Sequence, residues 1–202
     1  MIKMSLTQFL TFSLTENGAS RAKFVRKAKY DTYTPGGDYW KKLRETIKKV
    51  HERSLPLETL YNLVDQVDDK KKENYKKSIN RYVKFLKNKN VEWFDIGSSH
   101  WEFNEKLLVR SQPELGLYID GQPYLLKIYY KGKTQNVRPQ KVQSTLTLME
   151  ASVRNFIPPQ GAVPAILNLH NNKLYVSQGL DRDLLLSLEG DATQFTYLWE
   201  NI

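Results

Sequence analysis

The sequence predicts an α+β protein: a helical N-terminal region with a β-hairpin, then a mixed β-sheet flanked by helices. The main observation is a change of hydrophobic period, because apolar residues recur every three or four positions up to about residue 90 and every second position after it. A second is Asp120-Gly121 between two apolar runs, a strong signal for a two-residue hairpin turn. The chain has 202 residues, 40% of them hydrophobic, which suffices for a packed core.

Helix signals fill the first half of the chain. Ser5 and Gln8 have the spacing of a capping box before an apolar stripe that ends at Asn17-Gly18. Residues 21–30 predict a short second helix or an extended arm, and the sequence YTPGG then breaks the structure. Three further amphipathic helices are predicted, beginning at Asp38, at residues 54–56 and at Asp68 or Asp69.

Strand signals dominate the second half. Residues 91–94 and 100–103 predict a hairpin joined by DIGSS. The elements expected after it are strands at 107–110, 113–119 and 123–131, a helix at about 138–155, strands at 163–169 and 174–177, and a terminal helix capped by Asp181. We therefore divide the chain into an N-terminal helix and basic arm (1–34), a helical region with the hairpin (35–104) and a sheet domain (105–202), which can pack as one unit with 69–104.

The positive charge is confined to the first half. Residues 1–100 carry 21 Lys and Arg against 12 Asp and Glu, whereas residues 101–202 carry 10 of each, so the net charge of +9 belongs to the first half. Such a surface attracts polyanions. The composition thus points to nucleic acid, an acidic membrane surface or an acidic protein, against the plainer interpretation that lysine-rich helices only keep the protein in solution.

Several classes of site are excluded or disfavoured. The chain has no cysteine, so disulfides, thiolate nucleophiles and Cys-ligated zinc are excluded. Its histidines, His51, His100 and His170, are too far apart for a local zinc motif. No phosphate-binding loop or nucleophile elbow occurs. With no apolar run of bilayer length and no secretory signal, we expect a soluble cytoplasmic protein with no membrane partner and no cofactor.

The order helix, three strands, helix, strand resembles the restriction-endonuclease-like fold of the PD-(D/E)xK nucleases. Pro113-Glu114 lies where the Pro-acid pair of that family belongs, and Lys127-Ile128-Tyr129 follows at the spacing of its acid-x-lysine triplet. The resemblance implies a magnesium site at these positions. The acid and lysine of the triplet are, however, replaced by Lys127 and Tyr129, which argues against catalysis.

The hairpin register sharpens this point. With Asp120-Gly121 as the turn, Glu114 lies opposite Lys127, and the two predict a cross-strand ion pair that occupies the cation site. Residues 121–149 contain no Asp or Glu. We therefore expect no metal, although an acid supplied from elsewhere, such as Glu105 or Glu150, is the alternative.

Residues 38–104 resemble a winged-helix domain, in three helices followed by a hairpin. The resemblance implies that the third helix enters the major groove and the hairpin lies over the backbone.

The leading hypothesis is a non-catalytic nucleic-acid-binding protein, with DNA favoured over RNA. The alternatives are a protein-interaction subunit that docks on an acidic partner and a divergent magnesium-dependent nuclease. The predicted phosphate contacts are Arg21, Lys23, Arg26, Lys27, Lys71, Lys72, Lys76, Lys77, Lys84, Lys87, Lys131, Lys133 and Arg138. The predicted degenerate nuclease site is Glu114, Lys127 and Tyr129.

Overall fold

The computed structural model describes residues 1–31, 38–130 and 139–202, and it confirms the α+β class. The helices are α1 (Leu6–Ser13), α2 (Ala19–Tyr30), α3 (Lys41–Glu52), a 3₁₀ helix (Leu57–Gln66), α4 (Asp69–Leu86), α5 (Pro139–Glu150) and α6 (Arg182–Asn201). The strands are β1 (Ile2–Ser5), β2 (Val91–Phe94), β3 (Ser99–Phe103), β4 (Leu107–Arg110), β5 (Leu115–Ile119), β6 (Gln122–Tyr129), β7 (Val153–Arg154), β8 (Val163–Asn168) and β9 (Lys173–Val176). None of the helices in these ranges combines the length and apolar character that a bilayer crossing requires.

A small sheet of four strands has the order β1-β4-β3-β7, with β1 parallel to β4 and the other pairs antiparallel. Its core joins α1, α2 and α6 through Phe9, Phe12, Trp101 and Phe195, all buried. The edge-on contact of Phe12 with Phe195 ties α1 to α6. The strand β1 was not predicted, because Ile2 and Met4 alone are too short a pattern.

A larger sheet of five strands has the order β2-β5-β6-β8-β9 and is antiparallel except where β6 runs parallel to β8. The helices α3 and α4 and the 3₁₀ helix bury their apolar stripes against β5, β6 and β8 in the largest core cluster. The chain passes from β6 to β8 through α5, where Val142 and Leu146 pack on Ile166. Because β6 and β8 are parallel, the chain crosses over between them, and this crossover places the start of α5 beside the end of β6.

The helix caps and the hairpin turn predicted from neighbouring residues are confirmed. Ser5 caps α1, since its hydroxyl accepts from the Gln8 amide at 3.2 Å while the Gln8 side chain accepts from the Ser5 amide at 3.0 Å. Asp181 caps α6 by accepting from the Leu184 amide at 2.9 Å. The turn residues Asp120 and Gly121 both have positive φ, 52° and 84°. The helix and strand assignments around these points are confirmed within a few residues.

The predicted hairpin of residues 91–94 and 100–103 is wrong. The strand β2 pairs with β5, with Val91 opposite Ile119, while β3 pairs with β4 and β7 in the other sheet. The two segments also belong to different cores, since Trp93 packs in the large-sheet core and Trp101 in the small-sheet core. Of the two features that suggested the winged-helix resemblance, three helices and a following hairpin, the structure does not have this hairpin.

Strand pairing crosses both predicted domain boundaries. The strand β1, from region 1–34, pairs with β4, and β2, from region 35–104, pairs with β5. The apolar residues of α3 and α4 also share one core with the large sheet. The boundaries near residues 34 and 104 thus do not separate independent cores, and α3 is held against the start of β5, where the candidate site lies.

Candidate functional site

The predicted ion pair between Glu114 and Lys127 is confirmed. The register of β5 and β6 places Leu115 opposite Leu126, and the Glu114 amide donates to the Leu126 carbonyl at 2.8 Å. Glu114 Oε1 lies 3.9 Å from Lys127 Nζ, and the two side chains are only 10% and 14% exposed. This pair is more deeply buried than an ordinary surface ion pair, so solvent screens it weakly.

Glu114 has further partners besides Lys127. The Tyr130 hydroxyl donates to its Oε2 at 2.9 Å, and the Arg44 guanidinium of α3 also acts on it electrostatically. Burial raises the pKa of Glu114, and Lys127, Arg44 and the Tyr130 hydrogen bond oppose that rise. Arg44 itself pairs with Asp38 at 2.5 Å. The carboxylate that a nuclease would offer to a metal is thus neutralised by fixed protein groups.

This pair lies on the wall of a cleft of about 800 Å³. The first turn of α1, the start of α3, the ends of β4 and β6 and the start of α5 meet around it. Five cationic side chains line the cleft, namely Arg44, Lys48, Arg110, Lys127 and Lys141. Three carboxylates, Asp38, Glu45 and Glu114, face them, so the described lining carries an excess of two positive charges.

Lys141 and Lys127 are like charges on the same wall. Burial lowers the pKa of Lys141, and the positive charge of Lys127 lowers it further. The described part of the chain offers Lys141 no carboxylate within ion-pair distance, and its Nζ lies 5.7 Å from the centre of the Tyr129 ring. An anion between the two lysines would relieve their repulsion.

Tyr129 has a structural partner. Its hydroxyl is hydrogen-bonded to the Thr145 hydroxyl of α5. Burial raises the pKa of Tyr129 to about 12, so the phenol stays protonated and neutral. Tyr129 lines the cleft, and its hydroxyl joins β6 to α5.

The predicted phosphate contacts on α4, and Lys87 just after its end, lie at or near the surface. Lys76, Lys77, Lys84 and Lys87 are exposed, and Lys71 and Lys72 are half-buried. Two of these lysines are paired within α4, Lys72 with Asp69 at 2.8 Å and Lys77 with Glu73. Lys71 lies beside a cleft residue, because its Nζ is 5.4 Å from the centre of the Tyr39 ring.

Three further predicted contacts, on α2, do not line the cleft. Lys23, Arg26 and Lys27 are exposed on α2, which packs on α6 in the small-sheet core. Lys131, Lys133 and Arg138 lie outside the described residues.

The prediction that Arg21 contacts phosphate needs correction. This residue is 8% exposed and cannot present a free guanidinium to a phosphate. Its Nη1 contacts Asp191 Oδ1 at 2.7 Å, and its Nη2 and Nε donate to the carbonyls of Ser13 and Thr15 at 2.9 and 3.1 Å. These partners occupy each of its three guanidinium nitrogens. Arg21 is a structural residue that joins α2 to α6.

Arg44, Lys48, Arg110 and Lys141 were missed as site residues. Arg44 and Lys48 are four residues apart and so lie on one face of α3, a signal that the sequence carries. Arg110 precedes Pro113-Glu114 by three residues, but nothing local indicates that it faces α3. Lys141 is brought beside Lys127 only by the parallel pairing of β6 with β8.

In the described ranges, no group of three or more His, Asp or Glu side chains is placed to hold a metal ion. No known protein-family model matches the chain, and no curated protein matches it significantly in sequence.

Proposed function

We propose that this protein binds nucleic acid, with DNA favoured over RNA, and does not cleave it. The observation that carries the proposal is the charge of the cleft. At the place where the resembling nucleases hold a divalent ion, a lysine ammonium pairs with the single family carboxylate, and three more basic side chains, Lys48, Arg110 and Lys141, face the same space. Phosphate oxygens are natural partners for such groups.

The absence of hydrolysis follows from the same contacts. A magnesium site needs several oxygen ligands, and magnesium lowers the pKa of a bound water that then attacks phosphorus. Glu114 already accepts from Tyr130 and lies beside two cations. Placing a divalent ion there would set it against Lys127 and Arg44, which is electrostatically unfavourable.

The lysines of α4 extend this charge beyond the cleft. Exposed lysines contribute to nucleic-acid affinity by releasing counterions, which makes binding depend steeply on salt. The proposal therefore has two parts, contacts inside the cleft and a screened attraction outside it. We also propose that the protein is cytoplasmic, as the sequence predicts.

Fluorescence anisotropy tests this proposal, with a labelled duplex and a labelled single strand over a range of salt concentrations. We expect binding at low salt, with the logarithm of affinity falling by roughly 0.7 to 0.9 per phosphate neutralised for each tenfold rise in salt. Changing Lys72, Lys76 and Lys77 together to Glu should reduce both affinity and salt slope. The control is Lys173→Glu, an exposed lysine of β9 outside the cleft, which should change little.

If neither the duplex nor the single strand binds at low salt, the proposal is overturned and an acidic protein partner is favoured. Cleavage in magnesium or manganese that EDTA inhibits and that Glu114→Ala abolishes would establish the nuclease alternative instead.

A further inference from the structure

The geometry of the cleft points to a more specific ligand: we propose that it takes a phosphate monoester, the terminal phosphate of a nucleic-acid strand, in preference to an internal phosphodiester. This inference rests on the proposed function, because it names which part of a nucleic acid enters the cleft.

Charge complementarity is the first argument. The described lining has two more cations than carboxylates. An internal phosphodiester carries one negative charge, whereas a phosphate monoester carries about −1.5 to −2 at pH 7. A terminal phosphate therefore balances the excess, and an internal one leaves about one positive charge unmatched.

Available hydrogen-bond donors are the second argument. A lysine ammonium has three N–H donors. Lys127 is paired with Glu114, but the distance from its Nζ to Glu114 Oε1, 3.9 Å, is long for an ion pair. Lys48, Arg110 and Lys141 have no carboxylate within ion-pair distance among the described residues. A monoester presents three terminal oxygens, one more than a diester, and can accept from several of these donors at once.

The placement of these cations is the third argument. Lys127 of β6 and Lys141 of α5 lie on the wall of this cleft, and both side chains are partly or largely removed from solvent. A volume of about 800 Å³ lies within the range of small-molecule sites and is sufficient for a nucleotide. A strand end can enter such a cavity, whereas an internal phosphate must bring the chain on both sides with it.

The test compares otherwise identical labelled oligonucleotides that carry a 5′-phosphate, a 3′-phosphate or only hydroxyl ends. We expect one phosphorylated form to bind about tenfold more tightly than the hydroxyl form, the factor that corresponds to one charge-assisted hydrogen bond. Lys141→Met, which keeps the aliphatic stem, should remove this preference, because it should lower the affinity for the phosphorylated form more than the affinity for the hydroxyl form. Arg110→Gln, an exposed position, provides a second variant, and Lys173→Met is the matched control.

The outcomes separate this inference from the proposed function. Equal affinity for all three oligonucleotides overturns the inference and leaves the proposed function standing. If no oligonucleotide binds, calorimetry with a nucleoside monophosphate and with inorganic phosphate decides the matter. Binding of either that depends on Lys141 supports the phosphate site and overturns the nucleic-acid source, and binding of neither overturns both.

Discussion

Two buried ion pairs of this protein differ in what surrounds them. Around Arg21 and Asp191, which we call the closed pair, every guanidinium nitrogen has a protein partner, namely Asp191, Gln194 or a backbone carbonyl. Glu114 and Lys127, the open pair, lie on a cleft where cations outnumber carboxylates. A buried cation stabilises the fold when protein groups accept all of its hydrogen bonds. It can bind a ligand when neighbouring positive charge is unbalanced and a cleft lies beside it.

Breaking the closed pair should have the largest effect. Arg21→Met leaves Asp191, whose side chain is 16% exposed, without its cation, and we expect the free energy of unfolding to fall by about 3 to 5 kcal/mol. Urea denaturation measures this change. The matched control is Arg26→Met, at an exposed position of the same helix, which should stay within about 0.5 kcal/mol of the parent. A loss below about 1 kcal/mol for Arg21→Met would show that the closed pair is not structural.

The large-sheet core supports the open pair, and the protonation of His51 shows how well this core tolerates a buried charge. Burial lowers the pKa of His51 from 6.5 to about 4, and its Nε2 is hydrogen-bonded to the Tyr82 hydroxyl at 2.6 Å. Between these two pKa values the unfolded chain binds more protons, so stability should fall as the pH drops from 6.5 to about 4, by about 3 kcal/mol in total.

The measurement is urea denaturation at several pH values, for the parent and for His51→Gln. The difference in stability between the two should shrink as the pH falls through this window. His100→Gln, at a half-exposed histidine of β3, is the control. A difference that does not change with pH would contradict the expectation.

Breaking the open pair should cost less than breaking the closed pair. Lys127→Met leaves Glu114 with Arg44 and the Tyr130 hydroxyl, so we expect a loss of about 2 kcal/mol, smaller than for a wholly unpaired buried charge. The pKa of Glu114, already raised by burial, should rise further. Because the folded state then binds a proton that the unfolded state has released, stability should fall as the pH rises through the interval from the ordinary pKa to the raised one.

A double-mutant cycle with Glu114→Gln isolates the pair interaction. Most of the loss should be recovered in Lys127→Met combined with Glu114→Gln, since the amide carries no charge. A loss in the double variant equal to the sum of the losses in the two single variants would mean that the two side chains do not interact.

Tyr129 gives the smallest expected effect. Tyr129→Phe removes the hydrogen bond to Thr145 and should lower the free energy of unfolding by about 1 kcal/mol. Nucleic-acid affinity should not change, because the hydroxyl is used between β6 and α5. A clear loss of affinity with unchanged stability would place Tyr129 among the binding groups instead.

The sequence predicted the open pair correctly and missed most of the cleft around it. The register of β5 and β6 depends on one turn, and Asp120-Gly121 determines that turn through positive φ at adjacent positions. Arg110 and Lys141, in contrast, reach the cleft through pairings of distant strands, β1 with β4 and β6 with β8. Hydrophobic period does not determine which strands pair when they are far apart in sequence.

By itself, the sequence determined most of the helices and strands, β1 and β7 excepted, together with the caps of α1 and α6 and the hairpin that places Lys127 opposite Glu114. Each of these depends on residues only a few positions apart, whose backbone geometry decides between few alternatives. Only the tertiary structure decided that β2 and β3 join different sheets, that Arg21 is buried, and that basic side chains from α3, β4, β6 and α5 meet in one cleft. The reason is that burial and charge proximity depend on the packing of whole layers, which no short stretch of sequence specifies.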